Sequence, residues 1–273
     1  MWGLTIENEP QMGYRSDYRF NSLGFNSTME REFVKHNLGP ELERTGHKDI
    51  KVMIYDDNIV TSQGNIEEFA NTVLSDKDAN KYVAGVAYHW YAQHADKKML
   101  DRIAKKYTNK FLLSTEACEE WHGKKNHVML GHWATFDRYA DDIIKDLQHS
   151  SSGFVDWNLV LDLNGGPNWV SNFVDAPIIV NATAGEYYRQ PFFYALGHFS
   201  KFLVPNSVRL ENDGTSDAGD SVQVVIFQRP DKSTVLTVLN KNNHPIMLKL
   251  HDPLQGFLVT DVMANSLESL IWY

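Results

Sequence analysis

The sequence is short of cysteine, of positive charge and of long apolar runs. Cys118 is the only cysteine among 273 residues, so no internal disulfide can form and the redox compartment stays open. Lysine and arginine number 26 against 35 aspartates and glutamates, a net charge of −9. A chain of that charge needs a basic patch to gather phosphates, and the densest basic run is Lys105-Lys106. A nucleic-acid partner is therefore not expected. There is no apolar stretch of about 18 residues, the length a membrane-spanning helix needs. No signal-peptide pattern, repeat or low-complexity tract is visible. The glycine-rich stretch Gly165-Gly166-Pro167-Asn168 lacks the lysine and the spacing of a phosphate loop and reads as a turn.

What is present suits a folded domain with a sizeable core: 42% hydrophobic and 22% charged residues. Aromatics reach 12%, with seven Trp and twelve Tyr. Flat rings fill cores and also stack on the apolar faces of sugars. The sequons at Asn26 and Asn181 permit glycosylation without requiring it.

Five strand-like runs are expected in the first 160 or so residues: Trp2–Ile6, Lys51–Tyr55, Val83–His89, Phe111–Thr115 and Gly153–Leu161. Helical patterns lie between them, around Thr28–Val34, Ile66–Leu74, Asp96–Tyr107 and Trp133–His149. Strand alternating with helix is the signature of a parallel α/β layout. After Tyr187 the pattern changes. One helix is expected over Pro191–Phe202, then short alternating strands over Ser221–Gln228, Ser233–Asn240, Ile246–Leu250, Phe257–Val262 and Leu267–Tyr273. The turn residues between them predict a small antiparallel β-sandwich.

The chemistry gathers where the early strands end. The first runs into Glu7-Asn8-Glu9-Pro10, and Pro10 stops further pairing. Asp56-Asp57-Asn58, His89-Trp90-Tyr91 and Glu116 end the next three. In a parallel sheet all of these share the C-terminal edge, where such folds build sites. Glu9 and Glu116 on facing strands would be the two unequal carboxyls of a glycosidase, one donating a proton and one attacking or activating water. A glutamate at a strand end is more often a solvated residue or a helix cap. Asn8 beside Glu9 could bond a sugar hydroxyl. Two aspartates and a histidine hint at a metal, but no close ligand triad accompanies them, so none is expected. Trp90 and Trp157 could be core aromatics or sugar platforms. Cys118 reads as a quiet thiol, and His198 and Lys201 as structural.

Taken together, WGLTIENEP, YDDN, GVAYHWY, STEAC, DWNLVLDLNGGPNW, NFVDAPIIV and YALGHFSKF resemble the animal-type glucosylceramidases (lysosomal acid β-glucosidases) of glycoside hydrolase family 30. The resemblance runs along the whole chain and is strongest from 82 to 202. It implies a (β/α)8 barrel with a β-sandwich, and retaining hydrolysis of the β-glucosidic bond of glucosylceramide. It implies Glu9 as general acid/base and Glu116 as nucleophile. It also implies substrate contacts from Asn8, Tyr18, Phe20, Tyr91, Trp157 and Asn172. No metal or organic cofactor is implied. A lysosomal location, a saposin-type activator and action at a membrane surface come with the family.

The domain division implied is a partial barrel over 1–203, strands four to eight, and the sandwich over 204–273. Strands one to three would then be missing, which makes the chain read as a truncated form. The alternatives are an inactive fragment that binds glycolipid or a partner, and a β-glycosidase of the same fold with another substrate. Departures from the family pattern lie in the Asn58–Asn65 loop, at Phe69 and at Glu119-Glu120-Trp121.

Overall fold

The computed structural model describes residues 1–119, 127–214, 217 and 219–273. Glu120 and Trp121 of the last departure lie outside them. The described residues divide into two compact units, those within 1–120, 145–159 and 166–174 and those within 121–144, 160–165 and 175–273.

The first unit is built on five parallel strands in chain order: Gly3–Thr5, Lys51–Asn58, Val83–His89, Phe111–Glu116 and Ser151–Phe154. Lys51–Asn58 is buried at six consecutive positions, as expected of a parallel strand covered on both faces. The Ile66–Leu74 helix shows how sequence sets the packing. Asn65 caps it, its side chain accepting the Glu68 N–H at 3.0 Å. Ile66, Phe69, Ala70, Val73 and Leu74 fall on one face at helical spacing and are buried. That face joins Ile54, Tyr55, Val86, Tyr88 and Leu112 in the main core. Phe69 packs edge-on against Tyr55, ring centroids 5.0 Å apart. Gly85 is required by close approach: a Cβ there would sit 2.6 Å from the Phe111 ring.

One expected strand is corrected. Gly153–Leu161 is not continuous. Ser151–Phe154 belongs to the parallel sheet, while Val160–Asp162 pairs parallel with Ile178–Asn181 in a separate three-stranded sheet completed by Glu186–Arg189. Between the two pieces Val155 and Trp157 bond back to the Ser114 and Ala117 carbonyls at 2.8 Å each, and the Asp156 carboxylate accepts the Trp157 N–H at 2.9 Å. The Asn58–Asn65 loop holds a small hairpin, Val60–Thr61 against Gly64–Asn65.

In the second unit the Pro191–Phe202 helix starts at proline, whose missing N–H is harmless there. Its His198 meets Ser269 at 3.0 Å, a structural contact. Four antiparallel strands follow in the order Val208–Leu210, Val222–Gln228, Thr234–Asn240 and Ser266–Trp272, beside a hairpin of Ile246–Asp252 and Gly256–Val262. Ile226, Leu236, Val238 and Val262 form their shared core, with Ile246, Leu248 and Leu250 against it. Among the described residues no helix is long and apolar enough to cross a membrane.

Ile54 is fully buried at the centre of the main core. Ile54→Ala is expected to destabilise the chain by about 2–5 kcal/mol, through lost transfer energy and the cavity left. Urea unfolding would read this as a lower midpoint at unchanged slope.

Candidate active site

Four strand ends meet at one edge of the parallel sheet, and a histidine sits between their acids. His89, at the end of its strand, is 1% exposed. Its Nδ1 lies 3.4 Å from Glu9 Oε1 and 3.9 Å from Glu116 Oε1, and its Nε2 lies 3.3 Å from Asp56 Oδ1. Burial alone would depress this imidazole. The Asp56 and Glu9 hydrogen bonds and the Glu116 charge outweigh it and push His89 up to about 10. His89 is therefore an imidazolium at neutral pH.

The backbone delivers these acids by unusual turns. Glu9 has φ 47° and donates its N–H to the Asp56 carbonyl at 3.0 Å. Tyr55 and Asp56 have φ 80° and 56°, where the register against Val83–His89 shifts in a β-bulge. The bulge swings Asp56 toward His89, and Thr115 donates its hydroxyl to the same carboxylate oxygen at 2.6 Å. Asp57 is fully buried, and burial pushes it up to about 6.

Each glutamate has a tyrosine. The Tyr18 hydroxyl donates to Glu9 Oε2, and the Tyr91 hydroxyl donates to Glu116 Oε1 at 2.9 Å. Burial raises both phenols, so they stay protonated donors. Burial would also raise Glu9, but His89 and Tyr18 overcome it and hold Glu9 below the usual carboxylate range. For Glu116 burial prevails over His89 and Tyr91, and its carboxyl is raised. The field of this chain thus favours a proton on Glu116 over one on Glu9.

Phe20 stands beside Tyr18, ring centroids 5.8 Å apart, and meets Trp157 and Trp169 edge-on at 5.9 and 6.0 Å. Arg19 bonds the Val170 carbonyl and ties this stretch to the Trp169 loop. Trp90 is 5% exposed and packs on Phe154, a core aromatic.

Of the residues singled out in the sequence, Glu9, Glu116, Tyr18 and Tyr91 come together around His89, and Phe20 and Trp157 join through rings. Asn8 is exposed, and Asn172 bonds through its backbone N–H to Asn168 at 3.1 Å. Among the described residues no recorded contact draws either to the carboxylates. At the sequons, Asn26 is exposed and caps a helix, accepting the Met29 N–H at 2.9 Å. The Asn181 amide donates to the Tyr188 hydroxyl at 3.2 Å.

Sequence reasoning underrated three groups. His89 was read as a possible metal ligand rather than as a cation. Trp169, 68% exposed, had only its aromatic neighbourhood as a signal. Cys118 lies 3.3 Å from the Tyr91 hydroxyl, a contact with no signature in spacing. Glu9, His89 and Glu116 each offer a ligand atom within 4.8 Å of the others. A metal there would have to displace the proton that the surrounding acids hold on the His89 ring.

Removing His89 would leave the buried Glu9 and Asp56 and the half-buried Glu116 facing one another. His89→Leu is expected to destabilise the chain by about 3–5 kcal/mol at pH 7, measured by urea unfolding across pH. The sign follows from the raised imidazole. Its contribution is complete below the ordinary 6.5 and is lost as pH rises through about 10. The gap between parent and variant should also close in acid, where the carboxylates take up protons.

Comparison with known proteins places these features. The model of the glycosyl hydrolase family 30 TIM-barrel domain matches residues 1–203, and that of the family's β-sandwich domain matches 206–270. Putative glucosylceramidase 3 of Caenorhabditis elegans is 40% identical over 99% of this chain and 51% of its own length. Lysosomal acid glucosylceramidase of Mus musculus is 38% identical over 99% of the chain and 52% of its own. The crystal structure of SrfJ from Salmonella typhimurium superposes with a TM-score of 0.87 at 25% identity, over 100% of this chain and 57% of that one. The chain spans about half the length of the curated relatives it matches.

Proposed function

Because the chain belongs to glycosyl hydrolase family 30, we propose that its site serves retaining hydrolysis of a β-glucoside, with glucosylceramide as the substrate. The observation that carries this reading is the closeness of the two glutamates, one oxygen of each lying within 4.8 Å. Retaining glycosidases hold their carboxyls about 5–5.5 Å apart, and inverting ones leave room for a water at about 6.5–9.5 Å. The names of the worm and mouse relatives supply the glucosylceramide and the lysosome. With the family come a saposin-type activator and a membrane surface as partners. The domain division proposed is barrel over 1–203 and sandwich over 204–273, supported by the two family matches.

In this reading Glu9 protonates the leaving oxygen while Glu116 attacks the anomeric carbon. The carbon–oxygen bond to the aglycone breaks and a glucosyl ester forms on Glu116. Glu9, now ionised, takes a proton from water, which releases glucose. Tyr91 would steady the Glu116 carboxylate, Tyr18 would hold Glu9, and Phe20 and Trp157 would offer rings to the sugar. Asn8 and Asn172 are proposed as further substrate contacts.

One observation favours a second reading. The first step needs the proton on Glu9, whereas this chain's field holds Glu9 down and Glu116 up. A site in that charge state suits the second step, where Glu9 is a base, and it also suits glycolipid binding without turnover.

Hydrolysis of a fluorogenic β-glucoside and of glucosylceramide by the chain, beside Glu9→Gln and Glu116→Gln, separates the readings. For an enzyme, Glu116→Gln abolishes turnover. Glu9→Gln loses about 10²–10⁴-fold on glucosylceramide and much less on an aryl glucoside whose leaving group needs no proton. The acid limb of kcat/KM should lie above the ordinary glutamate value of 4.5, because Glu116 must ionise to attack and its pKa is raised. Saturable glycolipid binding without hydrolysis supports the second reading.

A further inference from the structure

Behind the strand that carries Asp56 lies an acid that the proposed reaction does not use. Glu30, in the first turn of the Ser27–Phe33 helix, is fully buried. Its Oε1 accepts the Tyr55 backbone N–H at 3.0 Å. Its Oε2 has no hydrogen-bond partner among the described residues.

The Tyr55 N–H needs such an acceptor. At the bulge the ladder slips between Tyr55 and Asp57, and a buried donor left unpaired is costly. Tyr55 and Asp56 both occupy the left-handed region, where residues with a Cβ persist only if their surroundings hold them. Asp56 is the residue this conformation presents to the site. Its carbonyl accepts the Glu9 N–H, and its carboxylate meets both His89 and Thr115.

We propose that Glu30 is a positioning residue: its hydrogen bond from the Tyr55 N–H locks the bulge, and the bulge sets where Asp56 holds His89 and Glu9. The groups facing Glu30 are Asp56, on the bulged strand, and Glu7, after the first strand, both acids. Burial pushes the Glu30 carboxyl up to about 8, so it serves as an uncharged acid at neutral pH. Its ionisation in mild alkali would strengthen the bond it accepts from the Tyr55 N–H while placing a charge in an apolar site beside two like charges, and so shift the bulge. The catalytic meaning of this device rests on the reading of Glu9 as the proton donor. The device itself is legible without turnover.

The test is NMR of the 273-residue chain and of its Glu30→Gln and Glu30→Leu variants from pH 5 to 10, following the Tyr55 amide and the His89 ring nitrogens. In the parent the Tyr55 amide should titrate near pH 8, with the His89 ring signals moving in step. In Glu30→Gln, a neutral isostere that still accepts the bond, the transition near pH 8 should vanish, leaving the His89 ring signals only their own transition near pH 10. In folded Glu30→Leu the His89 signals should be displaced at every pH. Thermal unfolding gives an independent reading. An acid with a raised pKa loses stability as pH rises from its unfolded value through its folded one, so the melting temperature of Glu30→Gln should overtake that of the parent between pH 5 and 8. A parent with no transition at Tyr55, the same transition in Glu30→Gln, or an undisplaced His89 in folded Glu30→Leu would each overturn the proposal. If Glu30→Leu does not fold, the comparison with Glu30→Gln decides alone. Failure of the hydrolysis assay would leave these signals unchanged, so the two ideas fail separately.

Discussion

The buried His89 imidazolium is the contact on which the site depends. Glu9, Asp56 and Glu116 all converge on it. Like charges at such range in a dry interior would drive one another to the neutral form. One positive charge spread over a ring with two N–H donors lets them sit together instead. The ring also fixes geometry, because its two nitrogens point in opposite directions, one to the glutamate pair and one to Asp56. Bringing two carboxyls close is the physical requirement of a retaining glycosidase, and here the histidine makes the closeness tolerable.

The same cation sets the order of the two glutamates. It stands nearer to Glu9 than to Glu116, and Tyr18 adds a donor to Glu9. Within this chain the negative charge therefore settles on Glu9. A further donor or cation facing Glu116 would oppose the burial and the Glu9 and Asp56 charges that keep Glu116 high. The acid and nucleophile roles are thus a property of the whole electrostatic environment, and the two side chains alone do not carry them.

Much of the fold was legible. The Val83–His89 strand and the Pro191–Phe202 helix fall where patterning put them, because unbroken apolar runs and an initial proline are strong local signals. The sandwich strands agree to within a residue or two, since turn residues punctuate them. Gly153–Leu161 reads as one strand because its apolar content is continuous, while the break around Asp156 is held by side-chain and long-range backbone bonds that no periodicity records. The short Ile178–Asn181 and Glu186–Arg189 strands gave too few residues to show an alternation.

The sequence by itself determined the parallel α/β order, the edge at which the acids gather and the family resemblance, since each rests on local pattern and on residues in a fixed order. Tertiary structure alone decided that the His89 imidazole is raised, because its charge depends on three acids from three other strand ends. It alone decided that Tyr55 and Asp56 adopt left-handed backbone, because a buried carboxyl 25 residues earlier in the chain accepts the N–H that the bulge releases. Such effects arise from groups far apart in sequence meeting where water is excluded, and a linear pattern holds no record of that meeting.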